Sequence, residues 1–150
     1  MKALLQRVSQ AAVEVEGHRV GAIETGILVL LGFAQGDTEA EAMRMVEKLL
    51  GYRMFSDEQG RMNRSVRDID GGVLLVSQFT LTATTSQGLR PGFSTAMDGD
   101  AARELYDRTL EILQSRHARV AAGVFAADMK VSLVNDGPVT FLLEITPRIR

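Results

Sequence analysis

The run Gly72-Val73-Leu74-Leu75-Val76 leads straight into Ser77-Gln78-Phe79-Thr80-Leu81, and the reading of this stretch decides the fold. A short, uninterrupted apolar run opened by glycine predicts a buried strand. Its end is chemically different: two hydroxyls and an amide must find hydrogen-bond partners or a ligand there. From Thr82 to Gly99 the chain turns polar and holds Gly88, Pro91, Gly92 and Gly99, which predicts a long surface loop. A strand end opening into such a loop is a good place for a site. Packing is the competing reading, since Thr and Phe also suit strands on their own account.

Working outward, residues 3 to 34 read as strands. Val13 and Val15 alternate with Glu14 and Glu16, a turn follows at Gly17-His18, and Ile27-Leu28-Val29-Leu30-Leu31 predicts a strand buried on both faces. Thr38-Glu39-Ala40-Glu41 fits a capping box, and Ala42, Met45, Val46, Leu49 and Leu50 recur at helical spacing. Asp57-Glu58-Gln59-Gly60-Arg61 predicts a turn between short extended segments. A second amphipathic helix is predicted from Asp100 to Arg116, with Ala102, Leu105, Tyr106, Thr109, Leu110 and Leu113 inward. Beyond it, Met129, Val131 and Leu133 alternate with polar neighbours, and Val139 to Ile145 is apolar again. The pattern is a single α/β domain over residues 1–150, its helices packed on one side of a sheet whose other side is free for a partner.

Composition narrows the chemistry. The chain has 150 residues, 45% of them hydrophobic and 24% charged, as in ordinary globular domains. The start, Met1-Lys2-Ala3-Leu4-Leu5-Gln6-Arg7, becomes polar too early for a signal peptide, and no apolar run nears the roughly 18 residues of a membrane span. A cytoplasmic protein is expected. Cysteine is absent, which removes disulfides, thiolate nucleophiles and Cys-based metal sites, and no metal or cofactor is expected. A net charge of −2 argues against wrapping a nucleic-acid backbone and against a DNA partner, while leaving room for grasping one nucleotide end. The two histidines, His18 in a turn and His117 near a helix end, read as solvated surface residues, so a Ser-His-Asp triad is not expected.

A second segment stands out, Asn135-Asp136-Gly137-Pro138-Val139-Thr140. Asp-Gly favours a tight hairpin turn, but Pro138 removes a donor where the next strand would pair. An X-Pro bond can also be cis. A cis Gly-Pro would aim two successive carbonyl oxygens the same way, a geometry suited to an ammonium group.

Together, in this order, the two segments resemble the paired signatures of the D-aminoacyl-tRNA deacylases, also called D-tyrosyl-tRNA deacylases. The likeness runs from Leu4-Leu5-Gln6-Arg7-Val8 through Arg61-Met62-Asn63 and Arg90-Pro91 to Asp128-Met129. It implies a mixed, barrel-like sheet and a hydrolase that cleaves the carboxylic ester of D-aminoacyl-tRNA, and of mischarged glycyl-tRNA. It also implies a homodimer in which Gly137 and Pro138, joined in cis, reach from one subunit to Ser77, Gln78, Phe79 and Thr80 of the other. Their carbonyls would hold the substrate's amino group so that an L side chain strikes the protein. Met129 and Phe79 are candidate pocket walls, and Arg7, Arg90 and Asn135 brace the fold or touch the tRNA. For the chemistry, either Thr80 is the nucleophile, or backbone N–H groups near Phe79 and Thr80 stabilise an oxyanion while the tRNA 2′-hydroxyl assists. The second is favoured, because a hydroxyl without a base is weakly activated. Thr84-Thr85-Ser86-Gln87, Gly92 and Ala126 depart from the residues usual in such proteins. The alternative is a dimeric small-ligand or protein-binding module without catalysis.

Overall fold

In a computed structural model that describes residues 1–148, strand β1 (Lys2–Val15) is the spine of the sheet. One edge pairs along nearly its whole length with β8 (Lys130–Glu144). The other edge is shared: the first half pairs with β3 (Gly26–Gly32) and the second with β2 (His18–Ile23). β3 continues in parallel to β6 (Gly72–Ser77), and β6 to β7 (Val120–Ala122). The order β2-β1-β3-β6-β7 curls until its ends approach, so close that a Cβ on Gly21 would lie 2.6 Å from the Ala122 carbonyl oxygen. The predicted mixed, barrel-like sheet in a single α/β domain is what forms, but the face away from the helices is not free for a partner as expected: the sheet curls around it and buries Val8, Val13, Leu28 and Leu74 there.

The apolar runs of β3 and β6 are explained by what covers each face. Leu28, Leu74 and Val76 point into the barrel with Val8, Ala11 and Val13. The alternate residues Ile27, Val29, Leu31, Val73 and Leu75 face the helices. These are α1 (Glu39–Gly51) and α2 (Gly99–Arg116), which place Met45, Val46, Leu49 and Leu113 on that side. Each such fully buried aliphatic side chain contributes about 1.5–3 kcal/mol relative to exposure. α1 starts where its local chemistry dictates: the Thr38 hydroxyl accepts from Ala40 N–H, and the Glu41 carboxylate accepts from Thr38 N–H at 2.9 Å. α2 buries Ile112 rather than the expected Leu110, which lies at the edge of the contact. A small hairpin of β4 (Phe55–Ser56) and β5 (Met62–Arg64) stands apart from the main sheet.

Two further expectations are corrected. Residues 135–138 do not turn the chain, because β8 passes through them unbroken. β1 offers β8 a partner on both sides of the segment, pairing Val8 with Asn135 and Gln6 with Thr140, so the extra residues bulge out opposite Arg7. His117 is not simply solvated: its Nε2 lies 2.7 Å from the Gly71 carbonyl oxygen, tying the end of α2 to the start of β6.

Candidate functional site

Ser77 is the last residue of β6, opposite Leu31, and is half-buried. Gln78 N–H still donates to the Leu31 carbonyl at 2.8 Å, and then the chain leaves the sheet in a 3₁₀ turn, Phe79–Thr82. Gly32 permits this exit, because a Cβ there would meet the Gln78 carbonyl oxygen at 2.7 Å. The turn is closed from within: Leu81 N–H donates to the Gln78 carbonyl, and the buried Thr82 hydroxyl donates to the Phe79 carbonyl at 2.8 Å. The N–H groups of Phe79 and Thr80, at the head of the turn, have no acceptor among the described residues. Such first-turn donors are available to a ligand oxygen. Thr80 is exposed, and its hydroxyl accepts a hydrogen bond from the Gln78 side-chain amide.

Phe79 is 63% exposed and leans on Phe93, with ring centroids 5.3 Å apart. Phe93 was not among the expected residues; the one available signal was an aromatic side chain in a polar loop. That loop is tied down, through paired backbone bonds between Thr84 and Gly92 and through Gln35 N–H to the Thr95 carbonyl. Arg90 sits on its exposed stretch.

Met129 belongs with this end of β6. A Cβ on Gly123 would lie 2.7 Å from the Met129 sulfur and 3.6 Å from Val76, the residue before Ser77. The turn between, Val124 to Asp128, carries Ala126 at φ +63°, a left-handed conformation that favours glycine. Phe125 in the same turn is held by Tyr106, 5.6 Å away, and by the Arg103 guanidinium, 4.9 Å from its ring centroid.

The second segment is built differently. Arg7 donates through Nε to the Asp136 carbonyl at 2.8 Å and through a terminal nitrogen to the Met54 carbonyl at 3.0 Å. Asn135 closes the bulge, accepting from Val139 N–H at 2.7 Å and donating to the Thr140 hydroxyl at 3.0 Å. Gly137 and Pro138 are joined by a cis bond and exposed, while Val139 is buried behind them. Gly137 has φ +150°, and a Cβ there would strike Val139 at 2.6 Å. Only glycine fits.

The two segments are far apart within the chain. Gly137-Pro138 lies beside Arg7, which pairs with Ile27, whereas Ser77 pairs with Leu31 at the other end of β3. Four residues along the strand, and three strand spacings from β8 across β1 and β3 to β6, put them on the order of 15–20 Å apart. Met129, one residue before β8, is likewise eight residues from Gly137 along extended chain, roughly 25 Å, so it does not share a wall with Gly137 and Pro138 in one chain.

Both the polar 3₁₀ exit and the braced Gly-Pro bulge lie within residues 4–144, which match the family model of D-Tyr-tRNA(Tyr) deacylase. The chain belongs to this deacylase family. It is 56% identical over 145 residues to a D-aminoacyl-tRNA deacylase of Cellvibrio japonicus, covering 97% of this chain and 99% of that one. A D-aminoacyl-tRNA deacylase of Pseudomonas putida is 58% identical over 145 residues, covering 97% and 100%. Among solved structures, one described as c-Myc DNA unwinding element binding protein superposes with a TM-score of 0.94 at 42% identity, covering 98% of this chain and all of that one. A probable eukaryotic D-amino acid tRNA deacylase superposes at 0.81 with 19% identity, over 96% and 98%, and shares the fold.

In this member of the deacylase family no histidine serves the Ser77 end of β6. His117 is bonded to Gly71 at the opposite end of that strand, about 17 Å along it, and His18 is exposed at the start of β2. Among the described residues no group of three or more His, Cys, Asp or Glu could hold a metal ion. No described helix is long and apolar enough to cross a membrane.

Proposed function

We propose that this protein hydrolyses the ester bond of D-aminoacyl-tRNA, releasing the free D-amino acid and the tRNA, at a site made by two copies of the chain. The observation that carries the reading is the separation of the two segments. A Gly-Pro bulge that is exposed, braced by Arg7 and Asn135 and remote from its own Ser77–Thr80 turn fits a second subunit's turn instead. The carbonyls of Gly137 and Pro138 would then hold the substrate's amino group, and an L side chain would meet protein where a D side chain meets space. Glycine has no side chain to reject, so glycyl-tRNA passes the same filter.

The chemistry follows from what the turn offers. Phe79 and Thr80 present two backbone N–H groups to the ester's carbonyl oxygen as it gains negative charge. Thr80 has an amide rather than a base as its neighbour, which leaves it a poor nucleophile. The tRNA 2′-hydroxyl next to the ester is the better-placed assistant. Phe79 and Met129 line the same end of β6 and suit the terminal nucleoside, Arg90 reaches outward from the loop, and Arg7 and Asn135 brace the bulge.

Purified protein should release the amino acid from D-aminoacyl-tRNA while leaving the L counterpart intact. No release of either form would leave the non-catalytic binding module as the better reading. The shared site has its own test: a Phe79→Pro variant, which lacks one of the two backbone N–H donors, and a Gly137→Ala variant, each crippled alone, are mixed and allowed to exchange subunits. About a quarter of the sites should become intact if each is built from two chains. Persistent inactivity alongside demonstrated exchange would sink the shared site.

A further inference from the structure

The hairpin β4–β5 carries Arg61-Met62-Asn63, a motif that the site above does not use. Its turn is rigid. The Asp57 carboxylate accepts from the N–H groups of Gln59 and Arg61, both at 2.9 Å, and from the Asn63 side chain at 2.8 Å. These bonds, that from Asn63 foremost, hold the Asp57 carboxyl below the usual carboxylate range. The other nearby carboxylates are also committed. Glu58 pairs with Arg64 at 2.6 Å, and Asp68 accepts from Ser65 N–H at 2.8 Å with Arg53 as a nearby positive charge. Arg67 faces Glu47. Arg61 is left, exposed at the end of a stiff turn, with no ion-pair partner among the described residues.

Its position gives that cation a meaning. Arg7 holds the Asp136 carbonyl with one nitrogen and the Met54 carbonyl, at the entrance to the hairpin, with another. The Gly-Pro bulge and the hairpin are thus fastened to one guanidinium. Three residues of chain, Met54 to Asp57, separate the turn from that clamp by at most about 10 Å, so Arg61 stands next to the bulge without forming part of it.

We infer that the β4–β5 hairpin, through Arg61, grips the sugar-phosphate backbone of the tRNA substrate inward of its terminal nucleotide, next to the active site that its own Gly-Pro bulge completes. The inference rests on the deacylase reading and extends it from the ester to the RNA stem. An overall charge of −2 is compatible with it, because a single unopposed arginine on a fixed turn provides a local contact without a broad basic face. Arginine suits the task, since its planar guanidinium can bond two phosphate oxygens at once.

The test compares two substrates carrying the same D-amino acid, full-length tRNA and D-aminoacyl-adenosine. Arg61→Ala should raise KM for the full-length substrate about five- to tenfold, as expected for one charge-assisted contact, with kcat unchanged. Hydrolysis of the short substrate should not change. The slope of log KM against log salt for tRNA should fall by about one counterion, and Arg61→Lys should recover most of the loss. Equal effects on both substrates, or no effect on either, would overturn the proposal. If the unsubstituted protein cleaved neither substrate, the deacylase reading would fail and this inference with it; if it cleaved both and Arg61→Ala did not separate them, this inference alone would fail.

Discussion

The Ser77–Thr82 turn and the Asn135–Val139 bulge are both polar interruptions of long apolar strands, yet they are stabilised in opposite ways. The turn is held mainly through backbone, by the Leu31 carbonyl of β3 and the Leu81 N–H, with the Thr82 hydroxyl closing it within four residues. The bulge is held by side chains, Arg7 from the neighbouring strand and Asn135 from its own base. A turn closed on itself leaves its leading N–H groups free for a ligand. A bulge braced from behind leaves Gly137 and Pro138 exposed. In the proposed site one segment would offer donors and the other acceptors, the complement needed to hold an ester carbonyl and an ammonium group at once.

The sharpest way to break this contrast is at Gly137. A methyl group there would collide with Val139 at 2.6 Å and displace the carbonyls that the bulge presents. Gly137→Ala should lower kcat/KM for D-aminoacyl-tRNA at least about 100-fold, some 2.7 kcal/mol of transition-state stabilisation. Circular dichroism should show the sheet intact, and a near-native rate would mean that the bulge takes no part in the reaction. At the turn the expected effect is smaller. If the backbone does the work, Thr80→Ala should cost less than about tenfold in kcat, because the exposed Gln78 amide can bond water instead. Loss of all activity with substrate binding retained would make Thr80 the nucleophile. The smallest effect concerns the support of the turn. Ala126 sits at φ +63° beside the end of β6, so Ala126→Gly should relieve about 1 kcal/mol and raise the melting temperature by about 2–4 °C without altering activity. A lower melting temperature would show that this backbone strain is outweighed by the entropy glycine adds to the unfolded chain.

Much of the fold was legible because its signals are local. The capping box at Thr38 and Glu41 acts across three residues, and the two-faced burial of β3 is written in five consecutive apolar side chains. Asn135-Asp136-Gly137-Pro138 reads locally as a hairpin and is none, for the converse reason. Its outcome depends on β1, more than a hundred residues earlier, which pairs with β8 on both sides and turns a local preference for reversal into a bulge. His117 and Phe93 share that limit, since their partners Gly71 and Phe79 lie 46 and 14 residues away along the chain.

The sequence by itself determined the family, the strand-helix order, the residues that could carry chemistry and the absence of thiol chemistry, since these follow from residue identity and short-range pattern. Tertiary structure decided how those residues are distributed. Only the sheet, with its strand spacing and register, places Ser77–Thr80 and Gly137-Pro138 at opposite ends of β3, too far apart to meet in one chain. Distance between remote segments is a property of pairing, and no local pattern encodes it.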